Sequence, residues 1–149
     1  MGSKLINGVN FRKLKEIESE KGSVLHFLRN DDENFTSFGE CYFSEIKPNC
    51  IKGWKIHSHQ TQNLAVPFGE VKFVLFDLRE NSDTLNTYNK FLLGRHKNYS
   101  MLKIPHNIYY SFKNLSDQTS LIVNCPNIPH DSHESEIIDI DSELIPYKW

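Results

Sequence analysis

The sequence predicts an all-β protein, an antiparallel β-sandwich or barrel, and two observations lead to that prediction. Short runs of apolar, aromatic and β-branched residues follow one another along the chain, separated at fairly even intervals by Gly, Pro, Asn and Asp. Helical periodicity is nearly absent, so the long helical crossovers that a parallel sheet requires have no place in the chain. We therefore expect strands joined by short turns, with little helix.

The one helical expectation lies near the N-terminus. Phe11, Leu14 and Ile17 have the spacing of an apolar helix face, and Gly22 would end such a turn. After Gly22 every apolar run is short and bounded by turn signals such as Pro105-His106-Asn107, which is typical of strands. The predicted strands are Val24–Arg29, Phe38–Ile46, Lys52–Ser58, Asn63–Phe68, Val71–Leu78, Asn89–Leu93, Ser100–Ile104, Tyr109–Lys113 and Ser120–Asn124.

Length, charge and cysteine content narrow the class of protein. A length of 149 residues is usual for one domain, so we expect residues 1–149 to form a single domain. The 17 Lys and Arg nearly balance the 19 Asp and Glu, which argues against a nucleic-acid-binding domain. No apolar stretch approaches the roughly 20 residues that span a bilayer, so no membrane association is expected. Three scattered cysteines indicate reduced thiols and a cytoplasmic location.

The densest polar cluster of the sequence runs from Lys52 to Asn63. Strand alternation places Lys55, His57 and His59 on one face of a strand. If that face points into a barrel, each of these groups needs a partner or a shifted pKa. If it points outward, the three side chains form a solvated basic strand, and the pattern alone does not decide between the two.

The chain resembles the cupin barrel at two motifs. The second cupin motif, G-x5-P-x-G-x2-H-x3-N, has its P, G, H and N places filled by Pro105, Asn107, Tyr110 and Asn114. Cupins bind metal through His, His, Glu and His. The corresponding residues here are Lys55, His57, Gln62 and Tyr110. Since an ammonium, an amide and a phenol are weak ligands, we expect no tight metal site. A shifted pair of His57 and His59 leaves a metal-dependent cupin as the least favoured alternative.

A closer resemblance covers about residues 22 to 149. It is to the metal-free cupins that act on nucleotide-linked keto-sugars, the dTDP-4-dehydrorhamnose 3,5-epimerases and the dTDP-4-keto-6-deoxyglucose 3,4-ketoisomerases. Four stretches carry this resemblance. Ile51 to His57 resembles V-x-R-G-L/W-H-x-H/Q, and Leu102 to Phe112 resembles L-x-I-P-x-G-x-x-H-x-F. The motif G-x-V…D-L-R-x-x-S-P-T is matched by Gly69-Glu70-Val71, Phe76 to Arg79 and Ser82-Asp83-Thr84, and the motif Y-x-P-x-x-E…W-x-D-P…I-x-W by His130 to Glu134, Asp141 and Pro146 to Trp149.

This resemblance implies a fold, an activity and partners. The fold is a cupin-type jelly roll, and the activity is epimerisation or keto-isomerisation of a nucleotide-linked 4-keto-deoxysugar. No cofactor is implied. Members of the family are usually homodimers that share strands between subunits.

The resemblance also implies catalytic residues. Lys55 stands where the epimerases have a histidine base, Asp141 matches the aspartate that orients that base, and Val123 stands where they have the tyrosine that acts as opposing acid. His57, with an ordinary pKa of about 6.5, is a competent base at neutral pH. Lys55 would then stabilise the enolate or, if desolvation lowers its pKa, serve as the base itself. Tyr110 would donate or return a proton. Without an acid at position 123, we expect reaction at one carbon at most.

Substrate-binding residues follow from the same comparison. Lys52, Lys72 and Arg79 are candidates for the phosphates, and Tyr109 or Trp54 for stacking on the base. His59 and Gln62 of the polar cluster complete the set of predicted substrate-binding residues. Three of these roles have a structural alternative: Trp54 as a core residue, Arg79 as the ion-pair partner of Asp77 or Glu80, and Asp141 as a turn cap.

Three hypotheses on function therefore stand side by side. The first is an epimerase or isomerase of nucleotide-linked 4-keto-deoxysugars. The second is a binding module on the same scaffold that has lost its base and acid, as Lys55 and Val123 suggest. The third is the metal-dependent cupin.

Overall fold

Twelve strands and one short helix are present in the computed structural model, which describes residues 3–149. In chain order they are β1 (Asn10–Lys13), β2 (Glu16–Ile17), β3 (Val24–Leu25), β4 (Tyr42–Ile46), β5 (Ile51–His57), β6 (Gln62–Phe68), β7 (Val71–Asp77), β8 (Tyr88–Leu93), α1 (Arg95–Asn98), β9 (Ser100–Ile104), β10 (Ile108–Asn114), β11 (Ser120–Asn124) and β12 (Ser135–Ile137).

Ten of the strands form two five-stranded antiparallel sheets. The first sheet has the order β1-β9-β6-β11-β4, and the second sheet has the order β12-β5-β10-β7-β8. Strands β2 and β3 form a separate pair. The prediction of an all-β antiparallel sandwich is confirmed. Strands β4 and β12 are edge strands of the first and second sheets. Both border the same open side of the sandwich, where the space between the sheets is accessible.

The facing sides of the two sheets hold the main hydrophobic core. Phe73 and Leu75 of β7 pack there against Leu102 and Ile104 of β9, and all four side chains are buried. The sheets are also covered on their outer faces. The N-terminal segment and the C-terminal tail provide these covers, which explains why β6 and β7 are nearly continuous apolar runs rather than alternating ones.

A tight turn joins β6 to β7 and fixes how the two sheets connect. Gly69 lies in this turn with a φ of 86°, a conformation that favours glycine. A Cβ at this position would lie 2.0 Å from the hydroxyl oxygen of Ser120. The turn therefore needs glycine for both its conformation and its space.

The predicted helical turn over Phe11 to Ile17 is wrong. Asn10–Lys13 pairs with β9, and Glu16–Ile17 pairs with β3. Three apolar residues do not offset the cost of helix nucleation, whereas the edge of the first sheet offers partners for the backbone. Within residues 3–149 the only helix is the four-residue α1.

Most predicted strands have their observed positions within one or two residues, and Ser100–Ile104 and Ser120–Asn124 match fully. The run Val24–Arg29 shortens to Val24–Leu25, the run Phe38–Ile46 shortens to Tyr42–Ile46, and β12 was not predicted. Over residues 3–149, no helix is long and apolar enough to cross a membrane.

Candidate active site

A cavity of about 400 Å³ lies between the two sheets, at the side where β4 and β12 form the edges. This volume lies within the range of about 300–1,000 Å³ that small-molecule sites occupy. The first sheet contributes Tyr42, Ser44, Leu64, Ile122 and Asn124 to its lining. The second sheet contributes Lys52, Gly53, Lys55, Tyr110, Phe112 and Ile137. The cavity thus has one wall that carries two lysines and a phenol and an opposite wall that carries a phenol and an amide.

His57 follows Lys55 by two residues on β5, so it shares the inner face of that strand, although it does not line the cavity itself. Its side chain is 5% exposed, and its Nδ1 is hydrogen-bonded to the carboxylate of Glu134. The Nε2 atom lies 3.2 Å from the hydroxyl oxygen of Tyr110, and the two rings are nearly parallel. Since an ionised carboxylate can only accept, Nδ1 carries the proton of the neutral ring and Nε2 accepts from the phenol.

Glu134 keeps this histidine in one orientation. Its second carboxylate oxygen accepts backbone N–H bonds from His59 and Gln60, at 3.3 and 3.1 Å. Burial raises the pKa of Glu134, but the hydrogen bonds from His57 and the two amides outweigh that effect and lower it overall. The pairing of β12 with β5, in which Ser135 lies opposite His57, holds the carboxylate in place. The carboxylate is therefore ionised when it faces the ring.

The protonation states of the two ring systems suit proton transfer. Burial lowers the pKa of His57, against the opposing effect of Glu134, so the imidazole is neutral at pH 7. Burial raises the pKa of the Tyr110 phenol well above its ordinary value. Tyr110 lines the cavity and His57 does not, so the Tyr110 hydroxyl is the group that connects the His57 ring to the cavity.

An irregularity in β5 brings Lys52 and Lys55 to the same cavity. Tyr110 pairs with Lys55 and Phe112 pairs with Lys52. Partners that are two residues apart on β10 are therefore three residues apart on β5, which is a β-bulge in β5. Strict alternation would have turned Lys52 to the other face. The Lys52 ammonium donates to the backbone carbonyl of Glu45 at 2.6 Å, at the exposed rim. Among the described residues, the Lys55 ammonium has no hydrogen-bond acceptor or ion-pair partner, which leaves it available to a ligand.

The first-sheet wall carries the phenol of Tyr42. Asn124 donates to its oxygen at 2.9 Å and also to Gln62 at 2.5 Å. Gln62 is buried behind Asn124, one layer from the cavity. Val123 points the other way, into the cluster formed with Leu14 under the N-terminal segment. Position 123 is therefore not the cavity-facing place that the family comparison assigned to it.

Several predicted site residues lie away from the cavity. Asp141 is exposed, and its amide donates to Asp139, so it orients neither Lys55 nor His57; Glu134 is the carboxylate beside His57. His59 is exposed beyond the end of β5 and bonds to the Ser58 hydroxyl. These two placements correct the sequence-based expectations, because a motif match fixes the order of residues but not the face they occupy.

The outer face of the second sheet accounts for three more of the predicted residues. Lys72 donates to the Tyr147 hydroxyl at 2.8 Å and lies over the rings of Tyr147 and Trp149. Trp54 is fully buried, and Tyr109 packs beside it in the same aromatic cluster. None of the three contributes to the lining of the cavity, so stacking on a base and phosphate binding by these residues are not available there.

Arg79 belongs to a buried polar network rather than to the cavity. It binds both oxygens of Asp77, at 2.9 Å each, and Asp77 is fully buried. Ser82 and Thr84 donate to the same carboxylate at 2.7 and 2.6 Å. These hydrogen bonds lower the pKa of Asp77 despite its burial. The ion-pair alternative for Arg79 is the one the structure supports.

Replacing Arg79 by glutamine should lower the free energy of unfolding by about 3 kcal/mol, because it leaves a buried carboxylate without its counter-charge. The matched control is Arg29→Gln, which removes an exposed Arg–Asp pair of the same sequence separation and should leave the free energy of unfolding nearly unchanged. Urea denaturation measures both values. A weakened affinity of the folded Arg79→Gln protein for sugar nucleotides would show instead that Arg79 binds phosphate.

Two residues of the candidate site, Glu134 and Tyr42, were not predicted as site residues from the sequence. Glu134 was recognised as part of a motif but not as the partner of His57, since 77 positions separate the two. Tyr42 is the first residue of β4, and no motif in the sequence pointed to it. In residues 3–149, no group of three or more His, Cys, Asp or Glu side chains has the arrangement to hold a metal ion.

Comparison with known proteins agrees with the resemblance found in the sequence. The family model for dTDP-4-dehydrorhamnose 3,5-epimerase matches residues 4–149. The chain belongs to this family of sugar-nucleotide epimerases.

Individual relatives cover nearly the whole chain. A crystal structure of a dTDP sugar isomerase from Desulfovibrio desulfuricans G20 is 43% identical, with a TM-score of 0.94, and the match covers 97% of this chain and 92% of that one. The probable low-salt glycan biosynthesis epimerase Agl13 of Haloferax volcanii is 28% identical over 95% of this chain and 88% of its own. The spore coat polysaccharide biosynthesis protein SpsL of Bacillus subtilis is 26% identical over 97% of both chains.

Proposed function

We propose that this protein epimerises a nucleotide-linked 4-keto-deoxysugar at one carbon beside the ketone. A dTDP-linked 4-keto-6-deoxy sugar is the substrate class we favour, because the family and the 43%-identical structure both carry dTDP sugars in their names. The observation that carries the proposal is the chain of contacts from Glu134 through His57 to the Tyr110 hydroxyl at the cavity wall.

The proposed first half of the reaction removes a proton from the carbon beside the ketone. The Tyr110 oxygen takes that proton while its own passes to Nε2 of His57, and Glu134 stabilises the imidazolium that forms. Moving both protons together avoids a free phenolate at a residue whose pKa is raised. The Lys55 ammonium lies on the same wall and stabilises the negative charge that develops on the ketone oxygen.

The rim of the cavity supplies the charge for the nucleotide. Lys52 is exposed there, beside the edge of the sandwich, where a diphosphate would emerge from a cavity that holds the sugar. Its ammonium already has one carbonyl acceptor and keeps two further N–H bonds for phosphate oxygens. In this arrangement the sugar lies between the two walls and the nucleotide lies outside.

Product analysis tests the proposal against a non-catalytic binding module. The purified protein is incubated with dTDP-, CDP- and GDP-linked 4-keto-deoxysugars, and the configuration of each carbon is read by NMR. We expect one dTDP sugar to be converted at one carbon. Submicromolar binding of a sugar nucleotide without any conversion would instead favour the binding module, which the lysine in place of the histidine base motivates.

We also propose that the protein is a cytoplasmic homodimer. Phe38, four residues before β4, and Phe43, within β4, are 66% and 67% exposed, and a second copy of the chain would cover them. The three cysteines are unpaired, as suits a reducing compartment. Analytical ultracentrifugation should give twice the chain mass of 17.4 kDa. A species at the mass of a single chain would contradict the dimer.

A further inference from the structure

A line of buried amides behind the first-sheet wall determines which way its polar atoms point. Gln60, Gln62 and Asn124 are each at most 3% exposed. The Gln60 amide donates to the backbone carbonyl of Ile128 at 2.8 Å, and a carbonyl can only accept. Gln60 must therefore turn its oxygen to the Gln62 amide nitrogen, which lies 2.7 Å away. The orientation of each amide is thus imposed by its neighbour.

The same constraint extends to Asn124 and is fixed from a second side. The Gln62 oxygen accepts from the Asn124 side-chain nitrogen at 2.5 Å. The backbone N–H of Asn63, which can only donate, lies 3.2 Å from the Asn124 oxygen. Both contacts require the nitrogen of Asn124 to face the Tyr42 oxygen, 2.9 Å away. Tyr42 accepts from Asn124, so its own hydroxyl proton has to point elsewhere.

We propose that Tyr42 is the acid that returns a proton to the sugar on the face opposite to Tyr110, and that Asn124 is its positioning residue. This inference rests on the proposed function. Tyr42 and Tyr110 line the same cavity from opposite sheets, so a sugar ring held between the walls would present one face to each phenol. The position that the family comparison gave to the opposing acid is Val123, whose side chain lies outside the cavity.

The chemistry balances as a two-sided transfer. The carbon–hydrogen bond breaks on the Tyr110 side, its proton enters the Tyr110–His57 pair, and the electron pair moves into the enolate. A new carbon–hydrogen bond then forms on the opposite face with the Tyr42 proton, which inverts the centre. The Tyr42 phenolate keeps the Asn124 N–H bond, and since the side chain is 39% exposed it regains a proton from water. The Tyr110–His57 pair releases its proton to water, so no net proton is gained.

Kinetics in deuterated water separate the two halves of this reaction. The substrate is the dTDP-4-keto-deoxysugar that the wild-type protein converts, and NMR follows deuterium uptake into the starting epimer and formation of the inverted product separately. We expect Tyr42→Phe to lower the rate of inversion at least ~10²-fold, as for a lost general acid. Uptake into the starting epimer should stay close to wild type, because the Tyr110 side is intact and returns deuterium to the face it came from.

Asn124→Asp tests the positioning role. The new carboxylate would accept a hydrogen bond from the Tyr42 hydroxyl and turn its proton away from the cavity, so inversion should fall while uptake is kept. A thermal melt of the same sample shows whether the protein stays folded without the donor to Gln62. Tyr88→Phe is the matched control, because it removes an exposed phenol oxygen outside the cavity and should change neither rate. A merely structural role for Asn124 would lower inversion and uptake together.

The outcomes distinguish this inference from the proposed function. If the wild-type protein inverts a centre and Tyr42→Phe inverts it equally fast, the role of Tyr42 is wrong and the proposed function stands. If Tyr42→Phe loses uptake and inversion in equal measure, Tyr42 acts in binding or folding and the inference fails. If the wild-type protein neither exchanges nor inverts any ketosugar, both proposals fall.

Discussion

Replacing His57 by asparagine is expected to lower kcat/KM for the 4-keto-deoxysugar nucleotide by roughly 10²–10⁴-fold, the usual cost of a lost acid–base group. Within residues 3–149, the imidazole is the only group hydrogen-bonded to the Tyr110 hydroxyl that can take its proton, since Glu134 contacts the far side of the ring. Asparagine keeps an N–H that can point at Glu134, so the buried carboxylate retains a donor and the protein should fold. Steady-state kinetics and a thermal melt of the same sample measure both effects.

The matched control for this substitution is His96→Asn, an exposed histidine on α1. It should leave kcat/KM unchanged. A His57→Asn protein that melts normally and keeps wild-type activity would remove His57 from the mechanism and leave Lys55 as the base, the place the family comparison gave to it.

The pH dependence of the reaction tests the pairing of His57 with Glu134 independently. Because burial lowers the pKa of His57 below its ordinary value, activity should hold down through pH 6.5 and fall only at lower pH, as the ring takes a proton. Glu134 favours the charged ring, so Glu134→Gln should move this acidic limb to still lower pH and reduce the rate at pH 7. An acidic limb that stays in place in Glu134→Gln would contradict the pairing.

Replacing Lys55 by methionine is expected to lower kcat by ~10²–10³-fold, the usual cost of one group that stabilises an oxyanion. Methionine keeps much of the length and the apolar stem, so the change removes mainly the charge. The ammonium has no other partner among the described residues, and it faces the cavity beside Tyr110. Its attraction to the ketone oxygen grows as the enolate forms, which is why the loss should appear in kcat rather than in KM.

Lys52→Met is the matched comparison, because both lysines line the same cavity from β5. Lys52 lies at the exposed rim, so its loss should raise KM for the nucleotide sugar with a much smaller effect on kcat. If the two variants show the reverse pattern, the sugar and the nucleotide occupy the cavity in the opposite sense to the one proposed.

The sequence predicted the fold well because that fold depends on patterns local to each strand. β7 and β10 are largely apolar runs bounded by turn residues, and both lie within one residue of their predicted bounds. The predicted N-terminal helix was wrong because three apolar residues do not offset the cost of helix nucleation, and partners in the first sheet decided the outcome.

The site was predicted less completely, for two physical reasons. A shift of one residue in a strand reverses the face of every side chain, which is why Val123 was placed at the cavity when Asn124 occupies it. The irregularity in β5, which turns Lys52 inward, had no signal in the alternation of the sequence. The carboxylate at His57 comes from a segment far along the chain, and only the folded structure distinguishes Glu134 from Asp141.

Solvent deuterium uptake by the wild-type protein tests the central claim most directly. A dTDP-linked 4-keto-6-deoxy sugar is incubated with the enzyme in deuterated water, and proton NMR follows the hydrogens on the two carbons that flank the ketone, with His57→Asn as the inactive reference. We expect loss of the proton signal at one of these carbons, with the hydrogen at the other retained. Uptake at both carbons would contradict the one-centre reaction, and uptake at neither, for any of the nucleotide sugars tested, would contradict proton abstraction at this site.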